Sequence, residues 1–356
     1  MNAAHHAGEL PRVRREGMHL AGLSRAEVQD RLLAAGVRSG AAREQARALV
    51  AWFAGRAPEP RGAGGFETAL PPAEAVSDPD GSVRFAVRLQ DGATVEAVLI
   101  HQPSTPLRVR ERWTVCVSSQ AGCARGCVFC ETGRLGLQRN LTAAEIVAQY
   151  AVATRHLRAR PTNVVFMGMG EPLDNLEEVL RAIAVLREPA GFAVPERKIT
   201  VSTVGIVPKM DELYARAKSQ VAVSLHAIDE GQRRALLPVA RKWPLDELRA
   251  CIARSPRTLL LQWTLIDGVN DAEADAEALA RFCQGLDVRV NLIPLNPGPV
   301  PAQKAPPLER CRAFQKRLAG SGVRALLRMP HGQQVGGACG QLAGSRRLSP
   351  NSPAAG

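Results

Sequence analysis

The sequence predicts an α/β fold, a partial parallel β/α barrel preceded by a small N-terminal accessory domain. Three observations carry that expectation. Aliphatic or β-branched runs recur at 113–117, 163–167, 198–202, 220–225, 258–265, 288–293 and 323–328. Amphipathic helix-like stretches separate most of them, the alternation of parallel β/α units rather than of an antiparallel sandwich. The residues with chemistry to offer gather just after the apolar runs, where a parallel barrel opens its active site.

Taken in order, residues 1–19 carry His5, His6, Arg12, Arg14 and Arg15 with little apolar periodicity, and read as a flexible basic arm. An accessory domain follows over 20–102. In it Leu23, Val28, Leu32 and Leu33, then Ala46, Leu49, Val50 and Phe53, mark two short amphipathic helices around the turn 36–40. A Pro/Gly-rich linker occupies 57–65, and 84–89 and 93–100, joined through Asp91-Gly92, read as a β-hairpin. The barrel spans 103–342. Arg108, Arg110 and Arg112 alternate along its entry, as a solvated edge or as an RNA contact. Thr142-Ala-Ala-Glu145 is a capping box, Asp174 or Asn175 caps the next helix, and 244–253 and 272–284 fit two more. Residues 343–356 read as a disordered tail.

At 356 residues the chain buries a core without disulfide staples, and its 8 cysteines show no paired framework. There is no secretory-type start and no apolar run long enough to span a bilayer, so the expected setting is soluble, reducing and cytoplasmic. The net charge of +12, carried mostly by arginine, favours a polyanionic partner such as nucleic acid. GC-rich coding yields the same arginine- and alanine-rich composition, so charge alone does not choose. Aromatics at 4% argue against broad stacking on single strands.

Cys123-Ala-Arg-Gly-Cys127-Val-Phe-Cys130 offers three thiolates from one short loop, one fewer than a cubane of four irons needs. A [4Fe-4S] cluster with four cysteines moves electrons. One held by three leaves an iron open to chelate a small molecule, here the amino and carboxylate groups of S-adenosylmethionine (SAM), and so predicts radical chemistry. The alternative is structural zinc, with Cys116 completing a tetrahedron of thiolates. The single compact triplet favours the cluster over the separated knuckles of zinc sites.

Gly168-Met-Gly170-Glu171-Pro172 follows the second apolar run, Ser202-Thr203 ends the third, Ser224-Leu225-His226 ends the fourth, and Asn296 follows the sixth. Backbone groups exposed by the two glycines would bind the methionyl amino group of SAM, with Ser202, Ser224 and Asn296 for ribose and carboxylate. Taken singly, each is equally a strand-end cap, and His226 equally a buried imidazole. Cys339, in Gly336-Gly-Ala-Cys339-Gly-Gln-Leu342, sits in a loop whose glycines permit motion or close approach. A thiol outside the triplet at the same mouth points to covalent catalysis. Cys251, Cys283 and Cys311 lie in helical patterns and read as core.

With these residues in view, the chain resembles the RlmN and Cfr family of radical SAM RNA methyltransferases. The resemblance runs from Val95 to Leu342 and rests on Cys116-Val-Ser-Ser-Gln120-Ala-Gly-Cys123 with the triplet, Gly-Met-Gly-Glu-Pro at 168–172, Ser202-Thr-x-Gly205-x-x-Pro208, Ser224-Leu-His226-Ala, Asn291-Leu-Ile-Pro-Leu-Asn296-Pro and Ala338-Cys339-Gly-Gln-Leu342. It implies a barrel of the radical SAM type. By resemblance, Cys123, Cys127 and Cys130 bind one [4Fe-4S] cluster, and Gly170, Glu171, Ser202, Ser224, Leu225, His226 and Asn296 contact SAM. Cys339 is the methyl carrier, Cys116 the thiol that resolves the protein–RNA adduct through a disulfide, and Glu96 the proton acceptor. Glu96 otherwise reads as a solvent-facing residue of the hairpin.

The implied reaction methylates C2 of an adenosine in ribosomal or transfer RNA. That carbon is electrophilic and cannot attack a sulfonium methyl directly. Two SAM molecules are therefore used per turnover. One methylates Cys339; the other yields a 5′-deoxyadenosyl radical that takes hydrogen from the S-methyl group. The implied electron donor is a flavodoxin with its reductase. C8 methylation, a single-SAM radical enzyme on a non-RNA substrate and a zinc-stabilised RNA-binding protein are the competing readings. The chain departs from the family at 328–337, where Arg328-Met-Pro-His331-Gly332-Gln-Gln-Val335-Gly-Gly replaces a basic and acidic stretch, and in a longer segment between Glu96 and Cys116.

Overall fold

The computed structural model describes residues 19–60, 65–105, 109–298 and 300–343. The expected basic arm up to residue 18, Arg108, part of the linker and the tail from residue 344 lie outside them. Two helices come first, α1 (Arg25–Ala34) and α2 (Ser39–Phe53), α1 opened by a reciprocal capping box between Ser24 and Glu27. Four strands follow: β1 (Ala73–Ser77), β2 (Val83–Arg88), β3 (Thr94–Gln102) and β4 (Arg112–Cys116). A small ribbon, β5 (Gln120–Cys123) and β6 (Gly136–Asn140), encloses the cysteine triplet and the one-turn helix α3 (Glu131–Arg134). The chain then alternates through α4 (Ala143–Leu157), β7 (Asn163–Phe166), α5 (Leu176–Arg187), β8 (Ile199–Thr203), α6 (Val207–Arg216), β9 (Gln220–Ser224), α7 (Glu230–Leu236), α8 (Leu245–Ala253), β10 (Leu259–Leu265), α9 (Glu273–Cys283), β11 (Val288–Pro294), α10 (Leu308–Gly320) and β12 (Ala325–Leu327).

Ten strands form one sheet in the order β1-β2-β3-β4-β7-β8-β9-β10-β11-β12. From β4 to β12 every pairing is parallel and sequential, matching the seven apolar runs. β1 and β12 are the free edges, so the barrel is partial. The hairpin β2–β3 does not stand apart at residue 102: β3 pairs antiparallel with β4, Val98 opposite Cys116, and extends the barrel wall. One continuous hydrophobic cluster joins α1 and α2 to the barrel, with Phe53 edge-on to Phe192 at 6.1 Å and Tyr150 edge-on to the same ring at 5.1 Å.

The capping box at Thr142 and Glu145 forms as expected. The cap of α5 does not. Asn175 occupies the N-cap position without a side-chain bond to the helix, because its amide donates to Ser119 O at 2.9 Å and Leu141 O at 2.7 Å. Asp174 is taken by Arg125 of the triplet loop. Both side chains satisfy buried or half-buried partners far away in sequence, which outweighs a cap bond that water can replace.

After β12 the chain returns across the inner face of the β2–β3 hairpin. The β1–β2 turn holds it there: Asp78 Oδ2 accepts from the amides of Gln334 (2.9 Å) and Val335 (3.3 Å), and Asp80 Oδ2 from that of Gly332 (2.9 Å). Nothing in the sequence marks Asp78 and Asp80 for this role, since their partners lie some 250 residues away. Replacing Asp78 by Ala leaves two amides without their acceptor, at about 1–3 kcal/mol for a buried group. Hydrogen exchange read by mass spectrometry is expected to quicken about tenfold or more in 332–335 and to stay unchanged in α4 and α9; unchanged exchange in 332–335 would refute the anchoring role.

Candidate active site at the carboxyl ends of the strands

The triplet leaves β5 at Cys123, turns at Gly126 and ends at Cys130, the N-cap residue of α3. Its own backbone tightens it, Cys130 N donating to Cys127 O at 3.1 Å and Arg125 N to Cys123 Sγ at 3.5 Å. Three outside elements fix its position. Arg125 makes a two-pronged ion pair with Asp174, its Nε 2.6 Å from Oδ2. Val128 N donates to Leu236 O at the end of α7 at 3.2 Å. The carboxyl-terminal loop closes the third side, Glu131 N donating to Gly340 O at 2.8 Å and Thr132 Oγ1 to Leu342 O at 2.7 Å.

All three thiols have raised pKa values. Burial is the main cause at each, pushing Cys123 up to about 12; the charges of Cys130 and Cys123 add to it at Cys127. Such thiols lose their protons to a thiophilic cation rather than to water. Among the described residues no three His, Cys, Asp or Glu side chains converge as a single ion requires, so the zinc tetrahedron with Cys116 has no counterpart here. Three separated soft ligands on one loop fit a polynuclear iron–sulfur group.

Gly168-Met-Gly170-Glu171 lies against Ser118–Gln120, and this explains its glycines. Gly170 has φ +97, and a Cβ there would fall 2.5 Å from Gln120 Cβ. Met169 N donates to Ser118 Oγ at 2.8 Å and Glu171 N to Gln120 Oε1 at 2.8 Å, bonds that fix this turn; they engage N–H groups, whereas an amino group would donate to backbone carbonyls. Glu171 is buried, its oxygens accepting from Leu173 N (3.0 Å) and Val204 N (2.9 Å). Burial dominates those bonds and raises its pKa to about 7.

Ser202 and Ser224 end β8 and β9 half-buried, and Leu225 is buried beside them. His226 takes a left-handed backbone, φ 60, unusual for a residue with a side chain. Its Nδ1 accepts from Thr264 N at 2.9 Å, and burial, followed by the charge of Arg233, lowers its pKa to about 3. The ring is therefore neutral, with its proton on Nε2, and lies edge-on to Phe129 of the triplet loop at 4.9 Å. Asn296 is engaged by the carboxyl-terminal loop, its Nδ2 donating to Cys339 O at 3.0 Å and its Oδ1 accepting from Gln333 at 3.2 Å.

Cys339 is accessible, yet enough protein surrounds its thiol that burial, followed by the charge of Cys130, raises its pKa. It therefore lines a recess. Gly340 permits the approach, with φ +85 and space for a Cβ only 3.0 Å from Phe129 O. Cys116, at the end of β4, is buried, and its pKa is raised by burial and then by the charge of Cys339. Cys116, Cys339 and Cys130 thus form a chain of thiols that sense one another. The expected disulfide between Cys116 and Cys339 is not present: all eight cysteines are free, so any such bond is not a resident staple.

Glu96 corrects the hairpin reading. It faces inward, fully buried, because the returning carboxyl-terminal segment covers that face. Its Oε1 meets the guanidinium of Arg84 and its Oε2 accepts from Ala343 N at 2.7 Å. Cys251, Cys283 and Cys311 are buried in α8, α9 and α10, as core cysteines. The sequence reading missed Gln120, Arg84 and the Arg125–Asp174 pair. Gln120 stood inside the motif, and Arg84 stood one diagonal from Glu96 on the predicted hairpin; Asp174 left no signal that could pair it with Arg125.

The Radical SAM superfamily model matches residues 117–282. A probable RNA methyltransferase of Sorangium cellulosum is 47% identical over 289 residues, covering 79% of this chain and 71% of its own length. The dual-specificity RNA methyltransferase RlmN of Syntrophobacter fumaroxidans is 45% identical over 269 residues, covering 74% and 77%. Among solved structures, a radical SAM methyltransferase from Sphaerobacter thermophilus superposes with a TM-score of 0.84 at 39% identity, covering 92% of this chain and 100% of that one.

The raised pKa of Glu171 has a definite sign. The folded protein keeps a proton that the unfolded chain releases near pH 4.5, so this stabilisation is full below that pH and is lost as pH rises through about 7. Urea unfolding of the cluster-free protein from pH 5 to 8 is expected to show it losing up to about 3 kcal/mol relative to the Glu171→Gln variant. A difference that stays flat with pH would contradict the assignment.

Proposed function

This chain belongs to the RlmN family of radical SAM RNA methyltransferases, and from that membership we propose that it methylates C2 of an adenosine in ribosomal RNA, transfer RNA or both, through an S-methyl group carried on Cys339. The observation that supports the reading is that Asn296 holds Cys339 O and Glu131 N holds Gly340 O, which seats Cys339 beside the triplet loop and near enough to Cys116 for its charge to be felt there. When bound on Cys123, Cys127 and Cys130, a [4Fe-4S] cluster supplies the one electron that cleaves SAM.

The chain's own residues do the rest. Cys339 gives up its proton and takes a methyl group as a thioether, which brings the carbon to be transferred within the recess. Asn296 and the clamp at Glu131 and Thr132 hold that loop in place. Glu96 receives the proton that leaves the adenine ring, and the Arg84 guanidinium keeps a cation against it. Once the radical adduct has returned one electron to the couple that supplied it, the Cys116 thiolate attacks the Cys339 sulfur. The Cys116–Cys339 S–S bond forms, the C–S bond to the base breaks, and its electron pair takes up a proton to complete the methyl group, leaving a disulfide for an external thiol to reduce. The raised pKa of Cys116 means that the resting thiol is protonated, so the attack follows loss of that proton. Gly170, Glu171, Ser202, Ser224, Leu225, His226 and Asn296 are the residues assigned to SAM, all at or just after the carboxyl ends of the parallel strands. No helix among the described residues is long and apolar enough to cross a membrane, and the proposed setting is the cytoplasm with a flavodoxin-class reductant.

Two variants test the division of labour. With reduced enzyme, SAM and RNA, nucleoside mass spectrometry is expected to find 2-methyladenosine, and Cys339→Ala to reduce it to background. Cys116→Ala is expected to stall with RNA covalently joined to Cys339, seen as a retarded band on a denaturing gel. Formation of 8-methyladenosine, or turnover by Cys339→Ala, would overturn the reading.

A further inference from the structure

Arg233 of α7 is only 1% exposed, which places a guanidinium inside the protein. Its Nη2 donates to Val204 O at 3.1 Å and its Nη1 to Trp243 O at 3.4 Å, while its Nε has no acceptor. Among the described residues no carboxylate forms an ion pair with it. Glu230, one turn earlier, turns to the amide of Leu245 and to Arg234 instead. Burial lowers the pKa of Arg233 only to about 10, so it stays a cation at neutral pH. Two carbonyl dipoles do not neutralise a buried cation, whose desolvation costs several kcal/mol.

Its location supplies a reason for keeping it. Leu236, less than one turn further along α7, accepts the Val128 amide of the triplet loop, and Pro238 stands over Gly126. Nη2 lies 3.5 Å from where a Cβ would project at Gly205, in the turn after β8. Arg233 feels the charge of the Glu230 carboxylate first and that of Cys127 next, and its own charge is felt at His226. Arg233 thus belongs to the helix and turn against which the triplet loop is seated, through Leu236 O and Pro238. A [4Fe-4S]2+ core with three thiolates carries a net charge of −1, and gaining one electron makes it −2. A fixed nearby cation in a low-dielectric interior stabilises the second state more than the first.

We propose that Arg233 is the counter-charge of the iron–sulfur cluster and sets how readily it accepts its electron. The proposal rests on the reading of Cys123, Cys127 and Cys130 as cluster ligands. It makes Arg233 a tuning residue that touches neither SAM nor RNA. One electron passes from a one-electron reductant, a flavodoxin-class protein or dithionite, to the cluster, and no bond changes.

The test uses the full chain, reconstituted without oxygen, as wild type, Arg233→Lys, Arg233→Gln and Arg233→Met. Iron and sulfide are counted for each, and the midpoint is read by electron paramagnetic resonance during a dithionite titration before any SAM is added. Arg233→Met and Arg233→Gln are expected to bind iron fully and to shift the reduction equilibrium about tenfold toward the oxidised state, about 59 mV for one electron. Arg233→Lys is expected to keep most of the wild-type midpoint. Neutral variants with full iron and the wild-type midpoint would overturn the proposal. So would neutral variants that alter only SAM affinity, which would make the SAM carboxylate the partner, or that lose iron while the remaining cluster titrates normally, which would make the role structural. A wild type that takes up no iron would overturn the cluster reading, and this proposal with it.

Discussion

The active site depends on one constraint, the clamping of the carboxyl-terminal loop onto the loop that carries the cysteine triplet. Thr132 and Leu342 are 210 residues apart and are joined by a 2.7 Å hydrogen bond, with Glu131 and Gly340 joined beside them. These bonds fix the glycine-rich segment on both sides of Cys339 against the triplet loop. Asp78 and Asp80 hold the same segment further back, Asn296 holds it from the end of β11, and Glu96 takes the amide of Ala343. Four separate parts of the chain therefore converge on some dozen residues. This is also why the β2–β3 hairpin belongs to the barrel wall: its inner face is the floor on which the loop lies.

Charges are placed around the site with the same economy. Arg125 answers Asp174 across 49 residues of chain, and Arg84 answers Glu96 across the β2–β3 hairpin. A buried or half-buried ion pair adds little net stability against an apolar pair, but loss of one partner is costly, so such pairs fix geometry more than they strengthen the fold. Among the described residues Arg233 forms no ion pair, which sets it apart from Arg125 and Arg84. His226 adds a neutral imidazole whose tautomer is fixed by a single backbone amide.

Much of this was legible from the sequence, and the rest was hidden for a physical reason. Parallel strands appear as apolar runs, so β4 and β7 to β12 were visible, whereas the polar antiparallel ribbon of β5 and β6 was not. The spacing of Cys123, Cys127 and Cys130 and the glycines around Cys339 marked the reactive loops because they are local patterns. Hydrogen bonds between distant segments leave no local pattern. Asn175 looked like a helix cap until Ser119 and Leu141 claimed its amide. Glu96 looked solvent-facing because strand alternation does not reveal that a segment from the other end of the chain covers the second face. Gly170 also serves a purpose that no local pattern shows, its close approach to Gln120.

The central claim is that Cys339 carries the methyl group and that the clamp presents this thiol, and no other, to SAM. The most direct measurement is peptide mass spectrometry of the reduced, cluster-loaded enzyme after incubation with SAM in the absence of RNA. The account predicts one added methyl group on the peptide containing Ala338, Cys339 and Gly340, with Cys116, Cys123, Cys127 and Cys130 unmodified. An unmodified Cys339 in enzyme that holds its cluster and cleaves SAM, or a methyl group found on Cys116 instead, would contradict it.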